Sequence, residues 1–220
     1  MHDRRVDDEV LKFGNQGALF MRAMTWWDHK TQSIWSQPWG SAIAGPLKDH
    51  ALTLIPASIV PWSTWLAGHP DTTVLGNDLE FGRYRVQTST DDFVIGVALE
   101  DNATAYHYED ASGLRIINDK VGTHPIVVFV DPDTREINVF LRRIREAGAN
   151  DSGPSVLVFA LGGDGQVTDI ETGSKWDTKL GAAIEGSLKG TVLQQIPYIT
   201  SFDWAWEDFF PHTSFYETEG

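Results

Sequence analysis

Apolar and polar residues change their period along this chain, and the changes mark its elements. Residues 10–13 and 18–27 are rich in apolar and β-preferring side chains and read as strands, with the turn signal Gly14-Asn15-Gln16-Gly17 between them. Asp28-His29-Lys30-Thr31 predicts a hairpin turn into residues 33–36, because an Asp carboxylate accepts hydrogen bonds from backbone N–H groups two or three residues on. The same Asp-x-x-Thr spacing returns at Asp131 and at Asp169, so Asp28, Asp131 and Asp169 are expected to cap three equivalent turns. Leu-x-x-Ile-Pro segments at 52–56 and 193–197 read as strands, as do residues 93–99, 103–108, 125–130, 136–142 and 155–161. Residues 111–119 suggest a short helix or turn. Two further short helices are expected. One begins at Pro61 and stops at Pro70; the other takes Ser201 as N-cap and stops at Pro211. Trp62, Trp65 and Leu66 share one face of the first, and Phe202, Trp206 and Phe209 one face of the second, so each helix needs a core to cover it.

The pattern occurs twice. Residues 28–72 lie over 169–213 without a gap at a constant offset of 141, with 16 identities in 45 positions, where unrelated segments would give roughly three. The identities include Asp28/Asp169, Thr31/Thr172, Ser33/Ser174, Trp35/Trp176, Gly45/Gly186 and Trp65/Trp206. The expected fold is therefore α+β and mostly β: hairpin-rich sheets with two short aromatic helices, built from an internal repeat. Residues 1–75 form the C-terminal half only of the first copy, 76–92 a polar linker and 93–213 the second copy, folded together as one unit. Trp35, Trp176, Trp65 and Trp206, being equivalent in pairs, are expected in the core.

Composition narrows the chemistry. Acidic residues outnumber basic ones 31 to 17, a formal charge of -14, which repels nucleic acid and anionic membranes. The absence of Cys from the sequence excludes disulfides, thiolate catalysis and Cys-ligated metal within it. No run approaches the ~20 apolar residues of a membrane span. The charged N-terminal residues carry no export signal, so the chain as written reads as cytoplasmic, and as extracytoplasmic if a further segment precedes it.

No motif names a reaction. The seven His are scattered without metal-ligand spacing, so neither a metal nor a cofactor is implied. Acid–base hydrolysis would need two carboxylates converging in a pocket. Trp27 and Trp39, which have no Trp counterpart in the second copy, are the candidate ligand-binding residues, since an aromatic face can stack on a small ligand.

The segments "DRRVDDEVLKFG" at 3–14, "TWWDHKTQSIWSQPWGSAIAGPLKDHALTLIP" at 25–56 and "WSTWLAGHPDTTVL" at 62–75, with "VIGVAL", "IINDKVG" and "ETGSKW" in the second copy, resemble the bacterial and archaeal family called Domain of Unknown Function 3179. Members of that family usually carry, ahead of the region matching Asp3–Gly14, a further half-repeat with a His-Glu pair, an Asn-Asp and a Cys-Pro-Leu-Cys-like motif. Here Asn118-Asp119 is present in the second copy, but Leu114-Arg115 stands at the pair and Asp131-Pro132-Asp133-Thr134 at the Cys motif. Two readings stay open. The chain is a non-catalytic or degenerate ligand-binding or structural module, with a small-molecule or protein ligand. Alternatively, the resemblance implies an exported thiol-redox or metal-dependent protein whose Cys motif lies upstream of Met1. The first copy is also expected to expose a strand edge near residues 1–24 and to self-associate.

Overall fold

The structure, a computed structural model, describes residues 1–58, 60–74, 92–144 and 155–218. It is β-rich with three short helices, an α+β, mostly β fold assembled from antiparallel hairpins. In the first copy β1 (Arg5–Val6) and β2 (Glu9–Val10) form a hairpin. Strands β3 (Phe13–Phe20), β4 (Ala23–Asp28), β5 (Ile34–Ser36) and β6 (Ala42–Ala44) then make a four-stranded meander, and α1 (Trp62–Gly68) follows. The second copy opens with β7 (Phe93–Leu99), β8 (Asn102–His107), α2 (Tyr108–Leu114), β9 (Ile116–Val121), β10 (His124–Asp131) and β11 (Glu136–Leu141). A hairpin of β12 (Arg143–Ile144) and β13 (Ser155–Val156) leads into a second meander, β14 (Phe159–Leu161), β15 (Val167–Asp169), β16 (Lys175–Asp177) and β17 (Ala182–Glu185). The chain ends with β18 (Gln194–Gln195), β19 (Ile199–Phe202), α3 (Asp203–Phe209) and β20 (Ser214–Phe215).

Two more sheets belong to the second copy, in the orders β18-β11-β10-β9 and β19-β7-β8-β20, with only β20 running parallel to its neighbour. Their facing sides, with α2, enclose the largest core, which includes Ile95, Val97, Tyr106, Ile126, Val128 and Val139. These strands read as near-continuous Val and Ile runs because both faces are covered. Side chains alternate across β10, so Val127 and Phe129 point the other way, into a second core with Phe140, Phe159 and Trp176.

The repeat extends upstream of the gapless block. Leu11 N–H donates to Arg4 O at 2.9 Å, and Leu157 N–H to Arg142 O at 2.8 Å. Ile55 N–H donates to Met1 O at 2.7 Å, and Ile196 N–H to Val139 O at 3.0 Å. In the second core Phe140, Ile144, Leu157, Phe159, Val167, Trp176 and Leu193 thus answer to His2, Val6, Leu11, Phe13, Trp26, Trp35 and Leu52 in the first.

Local differences from the sequence reading have physical causes. Gly14–Gly17 lies within β3, and the chain reverses instead at Met21 and Arg22, whose φ of 47° and 63° suit a tight hairpin; Gly17, at φ 81°, sits where the register shifts. The helix near residue 111 runs over Tyr108–Leu114, stops where Arg115 turns left-handed, and gives way to β9. Residues 155–161 form two short strands, and 52–56 only isolated bridges at neighbouring positions. Phe202, not Ser201, occupies the N-cap of α3, without a side-chain cap. The expected linker at 76–92 falls outside the described residues except for Asp92.

Candidate ligand-binding cavity

The identities shared by the two copies build a turn network. Asp28 is fully buried, and its Oδ2 accepts hydrogen bonds from Thr31 Oγ1 at 2.7 Å, Ser33 N–H at 3.1 Å and Trp35 Nε1 at 3.1 Å. Asp169 takes Thr172 Oγ1 at 3.0 Å and Trp176 Nε1 at 2.9 Å in the same way. Ser33 Oγ accepts from Leu47 N–H at 3.0 Å, and Ser174 Oγ from Leu188 N–H at 3.1 Å. A Cβ on Gly45 would lie 2.6 Å from Ser33 Cα, which is why glycine at φ 95° closes this corner. Burial pushes the Asp28 carboxyl up, but the bonds from Thr31, Trp35 and Ser33 outweigh it and hold its pKa below the ordinary value. Asp131 caps the β10–β11 turn more simply, accepting Asp133 N–H at 2.9 Å and Thr134 N–H at 3.4 Å.

Of the Trp residues taken for core, Trp35, Trp176 and Trp206 are buried at 0%, 3% and 2% exposure, whereas Trp65 is 41% exposed. The correction follows from what lies beneath each helix. Trp206 packs on β7, where Gly96 leaves room that a Cβ would take from its ring. Among the described residues of the first copy no such hairpin covers α1, and Trp62 and Leu66 are exposed with Trp65. Within the helices the details repeat even so. Trp65 Nε1 donates to Thr72 Oγ1 at 2.9 Å and Trp206 Nε1 to Thr213 Oγ1 at 2.8 Å.

Neither Trp proposed as a ligand platform is free. Trp27 stacks on His29, ring centroids 4.4 Å apart. Trp39 donates its indole N–H to Phe209 O at 2.8 Å and meets the Phe209 ring edge-on, joining the first copy to α3. Trp39 lines a small pocket of about 210 Å³ with Pro38, Tyr198 and Phe210, and a larger one lies beside it. A cavity of about 750 Å³ opens between the copies, walled on one side by Phe13, Trp26, Leu52 and Leu54, and on the other by Tyr198, by Ile199, Thr200 and Ser201 of β19, and by Ala205, Trp206 and Phe209 of α3.

The repeat explains why space remains there. Phe159, the counterpart of Phe13, meets Phe129 of β10 edge-on at 5.4 Å. Among the described residues of the first copy, no strand stands where β9 and β10 bring Ile116, Val127 and Phe129 onto the second core. Trp26, larger than its counterpart Val167, fills part of that volume, 6.1 Å from Phe13. β19 and α3 roof the remainder. Sequence reasoning missed this site because its walls come from opposite ends of the chain; the one signal was the replacement of Phe140 and Val167 by His2 and Trp26.

The polar lining is sparse: His2, Arg4 and Gln37 from the first copy, Thr200 and Ser201 from β19. His2 donates its Nε2–H to Gln37 O at 3.0 Å, and burial lowers its pKa, so it favours the neutral imidazole. The Arg4 guanidinium, exposed at the rim, makes no hydrogen bond or ion pair with the described residues.

A further pocket, of about 210 Å³, brings together Arg115, Asp131, Glu136 and Lys179. Its two carboxylates are already engaged. Asp131 caps its turn, and buried Glu136 holds Lys179 Nζ at 3.0 Å and Asn138 Nδ2 at 3.2 Å. The imidazoles are dispersed, with His29, His69 and His107 each stacked on its own aromatic ring. No cluster of three or more metal-ligating side chains occurs among the described residues. Nor is any described helix long and apolar enough to cross a membrane.

Fold and cavity define a duplicated, hairpin-built β-rich protein with an apolar chamber between its copies. The chain belongs to the family described as protein of unknown function (DUF3179), whose model matches residues 1–91 and again 84–213. No protein of curated function and no solved structure matches it.

Proposed function

We propose that this chain is a non-catalytic binding module that takes a small, largely apolar molecule into the chamber between its two copies. The chamber itself carries the reading. At about 750 Å³ it is in the size range of small-molecule sites, and it follows their usual composition, aromatic and aliphatic walls with a few polar groups. The carboxylates that most resemble catalytic acids support the non-catalytic part. Asp28 and Asp169 lie in separate copies, and each is saturated by the turn it caps.

The test is titration of the 220-residue chain with the uncharged probe N-phenyl-1-naphthylamine, read by probe emission and by quenching of Trp. We expect saturable binding. Ala205→Trp, which adds an indole to the α3 wall, should weaken it at least tenfold with an unchanged melting temperature. Absence of saturable binding, or binding indifferent to Ala205→Trp, would reject the module reading.

A further inference from the structure

We infer that the molecule held in the chamber is an amphipathic organic anion, its carboxylate on Arg4 and its apolar body between Trp26 and Trp206. The inference rests on the binding reading above and adds the ligand's charge. Its source is the contrast between two equivalent arginines. Arg142 spends its guanidinium on backbone: Nε donates to Ile126 O at 3.0 Å, Nη1 to Leu157 O at 2.8 Å and Nη2 to Asp119 O at 3.3 Å. Two of those carbonyls belong to β9 and β10, strands without a counterpart among the described residues of the first copy. Arg4 therefore reaches the rim of the chamber with its donors unclaimed by any described residue. A guanidinium presents its donors as a planar fork that matches a carboxylate in two parallel hydrogen bonds.

Local charge favours an anion despite the net charge of -14. No Asp or Glu lines the chamber among the described residues. Surface acids further away are screened over ~8 Å at physiological salt, whereas a group seated on Arg4 is within bonding distance. His2 favours its neutral form, held there by burial and by the N-terminal ammonium beside it, so Arg4 is the one charged side chain among the lining residues.

Three probes with the same ten-carbon chain test this on the full chain: decanoate, decan-1-ol and decyltrimethylammonium, each below its micellar concentration and followed by calorimetry. Decanoate should bind roughly tenfold more tightly than decanol, the difference shrinking with added NaCl. Arg4→Gln should lower decanoate affinity to that of decanol, and Arg4→Lys should restore part of the gap. Equal affinities for decanoate and decanol, tighter binding of the ammonium, or an unchanged gap in Arg4→Gln would overturn the charge assignment while leaving the binding module standing. Failure of all three probes to bind would overturn both.

Discussion

At the scale of single residues, the identities shared by the copies are those that satisfy one buried carboxylate. Asp28 is stable as an anion only because Thr31, Ser33 and Trp35 aim their donors at it. Removing it leaves buried Trp35 Nε1 unpaired and Ser33 N–H with only the longer bond to Thr31 Oγ1 at 3.3 Å, so Asp28→Ala should cost about 3 kcal/mol. Asp131→Ala, which loses only a partly exposed turn cap, should cost about 1 kcal/mol. Urea melts would compare them, and similar losses would contradict the network. The pKa shift sets a sign as well. Because the folded-state pKa of Asp28 lies below its ordinary value of 3.8, its contribution is complete above that pH and is lost as pH falls through the lowered pKa. Wild type should therefore lose stability on acidification below about pH 4, a loss that Asp28→Ala should show in reduced measure.

Among the elements, α1 and α3 have matching sequences and unlike surroundings. Trp206 is buried on Gly96, so Trp206→Ala should cost ~3–5 kcal/mol. Trp65→Ala, at 41% exposure, should cost under ~1 kcal/mol. Gly96→Ala should approach the Trp206 loss, because its methyl group must displace the ring. Thermal melts of the three variants give the ordering, and a large loss in Trp65→Ala would mean that something covers α1 in solution. The same helices mark the limit of sequence reading. The repeat, the Asp-capped hairpins and the long strands of the second copy were legible, because each is written in local spacing. Burial of Trp65 was not, since an amphipathic face states a need for cover without saying whether cover exists. The chamber was illegible for a related reason. Phe13 and Phe209 come to line it only through tertiary folding, and the engagement of Trp39 depends on a backbone carbonyl, Phe209 O, 170 residues away in the chain.

For the molecule as a whole, the question is whether the copies fold together. Among the described residues the first copy's core is Val6, Leu11, Trp35, Ala42 and Leu52, with Phe13, Trp26 and Leu47 partly buried against it, a small core to set against the chain entropy of some seventy residues. It gains support from the second copy along one side. Trp39 bonds Phe209 O, Arg22 pairs with Asp208 and lies 4.4 Å over the Trp204 ring, and Ser58 Oγ donates to Asn138 Oδ1 at 2.6 Å while accepting from Gln195 Nε2 at 2.9 Å. The exposed ion pair contributes little by itself, but the Trp39 contact is half-buried and central. We therefore expect one cooperative unfolding transition, with coincident midpoints by Trp fluorescence and far-ultraviolet circular dichroism. Trp39→Ala should lower both midpoints together, because loosening the contact removes the first copy's support and exposes the α3 wall to water. Two separated transitions, or a Trp39→Ala effect confined to the fluorescence of one copy, would show that the copies fold independently and that the chamber lies between separate units.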